Sequence, residues 1–191
     1  MKMSITRAAD ILLRGGVIAY PTEGIYGLGC LPDNHDALLR LLRIKQRDPD
    51  KGLILIASSA VQLQDWIDLQ DGKQIPTPDP ALPITWIVPA SCTVPALVKG
   101  SNAGLAVRIT TNHTAAAICD ATESPIVSTS ANIAGQTTAR NRSELRRQFA
   151  RLVDYIVPGD CGPASGASEI RATVFSKSWR KSSPNPAARS S

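Results

Sequence analysis

The sequence predicts one α/β domain built around a largely buried sheet. Short apolar runs of strand length alternate with segments of helical period, and no linker or internal repeat divides the chain. Its 191 residues, 43% hydrophobic and 19% charged, suit one domain with a core that needs no covalent staples.

Taken in order, apolar Ile5, Ala8, Ala9 and Leu12 give a helix from Ile5 to Arg14, stopped by Gly15-Gly16. Val17–Tyr20 is a buried strand ended by Pro21. Asn34 is placed to cap a second helix running through Ala37, Leu38, Leu41 and Leu42 to Lys45. Strand Leu53–Ala57 follows, then a helix over Ala60–Ile67 and a loop from Gln70 to Pro80 rich in Asp, Pro and Gln. Ile84–Val88 and Leu105–Ile109 are strands, separated by a turn-rich stretch and the short apolar segment Val94–Val98. Thr111–Ala121 is a helix and Pro125–Thr129 a buried strand. Asn141 and Glu144 form a capping box for a helix over Arg142–Leu152. Val153–Val157 and Thr173–Phe175 are late strands. From Lys177 the composition turns to Ser, Pro, Lys and Arg, which predicts a mobile tail.

Several function classes are disfavoured. The longest apolar runs are far too short to span a bilayer, and Met1-Lys2-Met3-Ser4 leads into a polar segment without a signal-peptide core, so a soluble cytosolic protein is expected. Cys30, Cys92, Cys119 and Cys161 are widely spaced with no C-x-x-C pair, against a zinc ribbon or redox dithiol. With only His35 and His113, no histidine-based metal site is expected. Catalysis must then work through cations, hydroxyls, amides and backbone groups. The net charge of +5 favours an anionic partner.

Four stretches carry chemistry. "YPTEGIYGLGC", Tyr20 to Cys30, runs a strand into a turn where Gly24, Gly27 and Gly29 allow close backbone approach to a ligand or positive φ. It is neither a Walker loop nor G-x-G-x-x-G, and a glycine-rich surface turn is the plain alternative. "IKQRDPDKGLILIA" crowds Lys45, Arg47 and Lys51 before a buried strand, either capping a helix C-terminus or clamping phosphate. "PIVSTSANIAG" ends an apolar strand in Ser128, Thr129, Ser130 and Asn132, where open α/β sheets bind ligands; turn-making is the competing role. "LAVRIT" buries Arg108, which must therefore be ion-paired or touch a ligand carboxylate or phosphate. A fifth stretch, "ARNRSELRRQFAR", holds Arg140, Arg142, Arg146, Arg147 and Arg151, a solvated helix face or an RNA contact.

Together these segments resemble the YrdC-type threonylcarbamoyl-AMP synthases, in the short single-domain form. "PTEGIYGLG", "KQRDPDKGL", "LAVRIT", "STSAN" and "SEIR" match the family's signatures in order and spacing, from about Ile5 to Arg180. The resemblance implies a twisted mixed sheet with helices on its faces, a YrdC-like fold with a concave basic cavity. Residues 1–180 would form the catalytic domain and 181–191 the tail. It implies a nucleotidyltransferase that joins L-threonine, bicarbonate and ATP into threonylcarbamoyladenylate and pyrophosphate. The adenylate would feed N6-threonylcarbamoyladenosine formation next to the anticodon, through tRNA and the threonylcarbamoyl-transfer machinery.

By matching position, Lys45, Arg47, Lys51, Ser130, Asn132, Thr138 and Arg180 would hold ATP, with Lys45 and Arg47 catalytic. Thr22, Arg108, Ser128 and Ser168 would hold threonine. Magnesium would ride on the triphosphate, with no dedicated protein metal site. The carbamate formed from threonine and bicarbonate attacks the α-phosphate, so no protein nucleophile is needed. Two positions depart from the family: Leu82 replaces a glycine in "PDPALPIT", and Ile56 stands where some long-form members carry a threonine-contacting His. An RNA-binding ribosome-maturation factor without ATP chemistry is the alternative. A carbamoyl-transfer relative of hydrogenase maturation is a third, though those chains are larger.

Overall fold

A computed structural model describes residues 1–69, 74–139, 141–164 and 166–172. The chain runs α1 (Lys2–Leu13), β1 (Ile18–Pro21), β2 (Tyr26–Gly29), α2 (His35–Lys45), β3 (Ile54–Ala57), β4 (Ile84–Val88), α3 (Ala96–Lys99), β5 (Leu105–Ile109), α4 (His113–Ala121), β6 (Ile126–Ser130), α5 (Arg142–Phe149), β7 (Tyr155–Ile156) and β8 (Glu169–Ala172). The strands form one eight-stranded sheet in the order β7-β1-β2-β6-β3-β5-β4-β8. It is mixed: β7 with β1, β3 with β5 and β4 with β8 are parallel, and the remaining pairs antiparallel.

Helices cover both faces, which is why β1 and β3, the Tyr20 hydroxyl apart, carry no polar side chain. Along β1, Ile18 and Tyr20 join α1 and α4 through Ala8, Leu12, Ala115 and Ile118. Ala19, with Val17 just before the strand, faces the other way, into the layer of α2 and α5 with Leu38, Leu41, Leu145 and Phe149. Capping follows the sequence closely. Asn34 accepts from the Ala37 amide, Asn112 from those of Thr114 and Ala115, and Asn141 from that of Glu144.

Some expectations are corrected. The glycine-rich stretch after Pro21 is not only a turn, because Tyr26–Gly29 is strand β2. None of Gly24, Gly27 and Gly29 has positive φ. Gly29 is needed for close approach to the chain itself, since a Cβ there would lie 2.3 Å from the Val127 carbonyl oxygen. The helix expected over Ala60–Ile67 shrinks to a 3-10 turn at Val61–Leu63, with Ile67 bridging to Ala90 instead. Of Val153–Val157 only Tyr155–Ile156 is strand, and α5 ends at Phe149. The closing strand is Glu169–Ala172; Thr173–Phe175 and the tail lie outside the described residues. Among the described residues no helix is long and apolar enough to cross a membrane.

Candidate active site

β1 ends in Pro21, and the chain turns at Thr22–Ile25 to start β2. The Thr22 hydroxyl fixes this turn by donating to the Ile25 carbonyl at 2.6 Å. Asn112, at the start of α4, ties it from behind by donating to the Thr22 carbonyl at 3.0 Å. From the far end of the chain, the amides of Gly162 and Ala164 donate to the carbonyls of Thr22 and Glu23, so the segment before β8 straps across the turn. Gly24 makes that contact possible: a Cβ there would lie 2.4 Å from the Gly166 oxygen and 2.5 Å from that of Ala164.

Two cavities adjoin under this strap. The first, about 220 Å³, is lined by Thr22, Glu23, Arg47, Arg108, Ser128 and Ser168 among others. The second, about 510 Å³ and more open, is lined by Asn132, Thr137, Thr138 and Ala139. They share Gly24, Ile25, Ser130, Gly166 and Ala167 as a common rim. The residues assigned to threonine thus fall together in the first cavity. Ser130, Asn132 and Thr138, assigned to ATP, fall around the second, and Arg47 reaches the first.

Arg108 is 7% exposed in β5, and its guanidinium meets the Glu23 carboxylate at 3.4 Å, a long contact for a buried ion pair. The other carboxylate oxygen of Glu23 accepts from the Thr110 hydroxyl at 2.6 Å and the Thr111 amide at 2.9 Å. Burial works against the Glu23 charge. Arg108 and the hydrogen bonds from Thr110 and Thr111 outweigh it, and hold the carboxyl below its ordinary range. Glu23 Oε2 and Arg108 Nε are both buried without a hydrogen-bond partner among the described residues. The two roles left open for Arg108 therefore coexist: it is ion-paired and it lines a cavity.

Lys45, at the end of α2 and 4% exposed, does something the sequence did not indicate. Its ammonium donates to the Ser130 and Asn132 carbonyls and to Asn132 Oδ1, the last two at 2.6 and 2.8 Å. Its three hydrogens are thereby matched by oxygens of Ser130 and Asn132, and it lines neither cavity. Burial, then the nearby Arg47 charge, lower its pKa to about 8. Ser130 in turn donates to Asn132 Oδ1 at 2.6 Å, and Asn132 Nδ2 donates to the Gln136 carbonyl at 3.1 Å. Arg47 is braced by two bonds to the Gly52 carbonyl, from Nε at 3.1 Å and Nη2 at 2.9 Å. Burial lowers its pKa, against a smaller opposing effect of Asp48.

Ser168 pairs with Thr85 across β4 and the approach to β8, hydroxyl to hydroxyl at 2.7 Å. Lys51 is exposed in the 3-10 turn Pro49–Lys51 and lines neither cavity. Arg180 lies outside the described residues. Leu82 is 44% exposed and lines neither cavity; Ile56 is fully buried in the layer under α1 and α4.

Residues 10–181 match the Sua5/yciO/yrdC family model, described as telomere recombination. The chain belongs to this family. Within it, the chain is 46% identical over 168 residues to a protein of Xanthomonas campestris pv. campestris (strain B100) named threonylcarbamoyl-AMP synthase, covering 86% of this chain and 90% of that one. A protein of the same name from Xanthomonas euvesicatoria pv. vesicatoria (strain 85-10) is 42% identical over 173 residues, covering 88% and 92%. Among solved structures, P. abyssi Sua5 complexed with L-threonine superposes with a TM-score of 0.80 at 27% identity, over 90% of this chain. The chain spans about half that protein's length, 51% of it. The mixed α/β sheet with flanking helices is thus the fold of the family.

Glu23 is the charged cavity-lining residue the sequence reading passed over. Its signal was a single acid inside "PTEG", together with an apolar strand whose buried Arg108 required an opposite charge. The strap residues Gly166 and Ala167 carried no comparable signal, since they contribute backbone rather than side-chain chemistry.

Proposed function

We propose that this chain makes L-threonylcarbamoyladenylate and pyrophosphate from L-threonine, bicarbonate and ATP, supplying N6-threonylcarbamoyladenosine formation in tRNA. The supporting observation is the pair of adjoining cavities. One is walled by the buried Arg108–Glu23 pair and small hydroxyls, the other by the Ser130–Asn132 turn and Thr138, and they meet at a shared rim. This suits an amino acid and a nucleotide held side by side, as does the name shared by the Xanthomonas relatives.

In this reading the threonine carboxylate lies against Arg108, and its amine takes up bicarbonate to become a carbamate with loss of water. The carbamate oxygen attacks the α-phosphate of ATP across the rim, and pyrophosphate leaves toward the open side. No side chain becomes covalently bound. The protein's work is to hold two anions in line and offset their repulsion. Arg47 does this directly. Lys45 does it by fixing the Ser130–Asn132 turn and adding its charge from beneath. Magnesium arrives on the triphosphate, and the adenylate passes to the cytoplasmic transfer machinery that acts on tRNA.

The test is pyrophosphate release by the purified full chain with ATP and magnesium. Release is expected only when threonine and bicarbonate are both present, and without any tRNA. Equal turnover of ATP without threonine would overturn the proposal.

A further inference from the structure

We infer that Glu23 is a specificity residue, pairing with Arg108 to read the zwitterion of an α-amino acid, with Glu23 Oε2 receiving the substrate ammonium. This rests on the synthase reading for the identity of the amino acid, but its residues are argued from geometry alone.

Glu23 and Arg108 are nearly inaccessible, carry opposite charges and line the same cavity. A structural ion pair so deeply placed closes with short, well-directed hydrogen bonds. This one does not: its charged atoms stand 3.4 Å apart, and Oε2 of Glu23 and Nε of Arg108 make no hydrogen bond among the described residues. Yet the pair is not loosely built. The other carboxylate oxygen of Glu23 is pinned by the Thr110 hydroxyl and the Thr111 amide. Those contacts hold the carboxylate short of a full embrace with Arg108, leaving one buried acceptor and one buried donor without a hydrogen bond on two side chains that line one cavity.

A ligand that satisfies both must carry a negative and a positive group a few bonds apart. An α-amino acid has this pattern, with its carboxylate for Arg108 and its ammonium for Oε2. A hydroxy acid would satisfy Arg108 but set a neutral hydroxyl beside the carboxylate. An amino alcohol would leave Arg108 unmet. Each mismatch strands a buried polar group, which is what makes such sites discriminating. Ser128, Thr22 and Ser168, the hydroxyls in the same wall, are neutral and cannot supply this sign selection.

The experiment is calorimetric titration of the full chain, wild type and Glu23→Gln, with L-threonine, 2,3-dihydroxybutanoate and threoninol, the latter two lacking the amine and the carboxylate respectively. Wild type should bind threonine at least about tenfold more tightly than either analogue, since each leaves one buried charge unmet. Glu23→Gln should weaken threonine about tenfold or more while leaving 2,3-dihydroxybutanoate unchanged or tighter, because Arg108 is then freed from its counter-charge. Equal weakening of both ligands would make Glu23 a structural support and overturn the inference while leaving the synthase reading intact. Should the variant fail to fold, wild type still decides: equal affinity for threonine and 2,3-dihydroxybutanoate would overturn the inference. Failure of wild type to bind threonine at all would overturn the synthase reading and this inference together.

Discussion

Lys45→Met separates a lysine that holds the site together from one that only touches phosphate. Methionine keeps the apolar stem and removes the ammonium, stranding the Ser130 and Asn132 carbonyls and Asn132 Oδ1. Three hydrogen bonds from a charged donor, at about 1.5–3 kcal/mol each, give a gross loss of about 5–9 kcal/mol. Relief from burying the ammonium returns several kcal/mol, leaving a net destabilisation of about 2–4 kcal/mol. For a chain of this length each kcal/mol moves the melting temperature by about 2–4 °C, so Tm should fall by about 4–16 °C. The assay is thermal unfolding followed by circular dichroism, with no nucleotide or threonine present. A ligand-free Tm equal to wild type, with synthesis lost, would refute the reasoning and return Lys45 to direct phosphate contact.

Other consequences are as concrete. Gly24→Ala presses a methyl on the Gly166 and Ala164 oxygens and should cost about 1–3 kcal/mol of overpacking. It should weaken threonine and ATP binding together, as both cavities share this rim; calorimetry showing either ligand unaffected would contradict the strap. Because the folded chain holds the Glu23 carboxyl below its ordinary pKa, the unfolded chain binds more protons between the two values. The stabilisation from its charge is complete above the ordinary range and is lost as pH falls through the lower folded value. The excess urea midpoint of wild type over Glu23→Gln should therefore shrink as pH falls through and below the ordinary carboxylate range, and a constant difference would argue against the ion pair. Replacing Arg142, Arg146 and Arg147 of α5 by Ala should lower tRNA affinity and flatten its log–log salt dependence by about 1 per lost phosphate contact. An unchanged slope in filter binding would make that helix a solvated face.

What the sequence disclosed followed the reach of each signal. Asn34 and Asn141 cap their helices within a few residues, so local pattern placed those starts closely, whereas the cap at Asn112 sits inside the helix expected from Thr111. β2 escaped because Gly27 and Gly29 give no apolar alternation; their lack of side chains lets the strand lie against Tyr20 and Val127. Ala60–Ile67 is apolar enough for a helix, yet its end is claimed by the bridge to Ala90, a contact no local window contains. In the site, Arg108 announced itself because a buried guanidinium demands an explanation. The identity of its partner depended on a turn after β1 meeting β5. For Lys45 the charge was visible but not its direction, since the oxygens it serves lie at the end of β6 and just after it, far along the chain.

The strap that precedes β8 has a consequence for how the protein comes into being. β1, β2, β3, β5 and β6 can pair before residues 166–172 are made, but the wall of the smaller cavity needs Gly166–Ser168, and β8 needs β4 to receive it in parallel. Such distant pairings are slow to close. During synthesis, which proceeds from the N-terminus, the core can form while the cavity still lacks one side. Substrate therefore cannot template the early steps. It meets a scaffold already built, and what it can stabilise is the last closure, where Gly162 and Ala164 hydrogen-bond to Thr22 and Glu23.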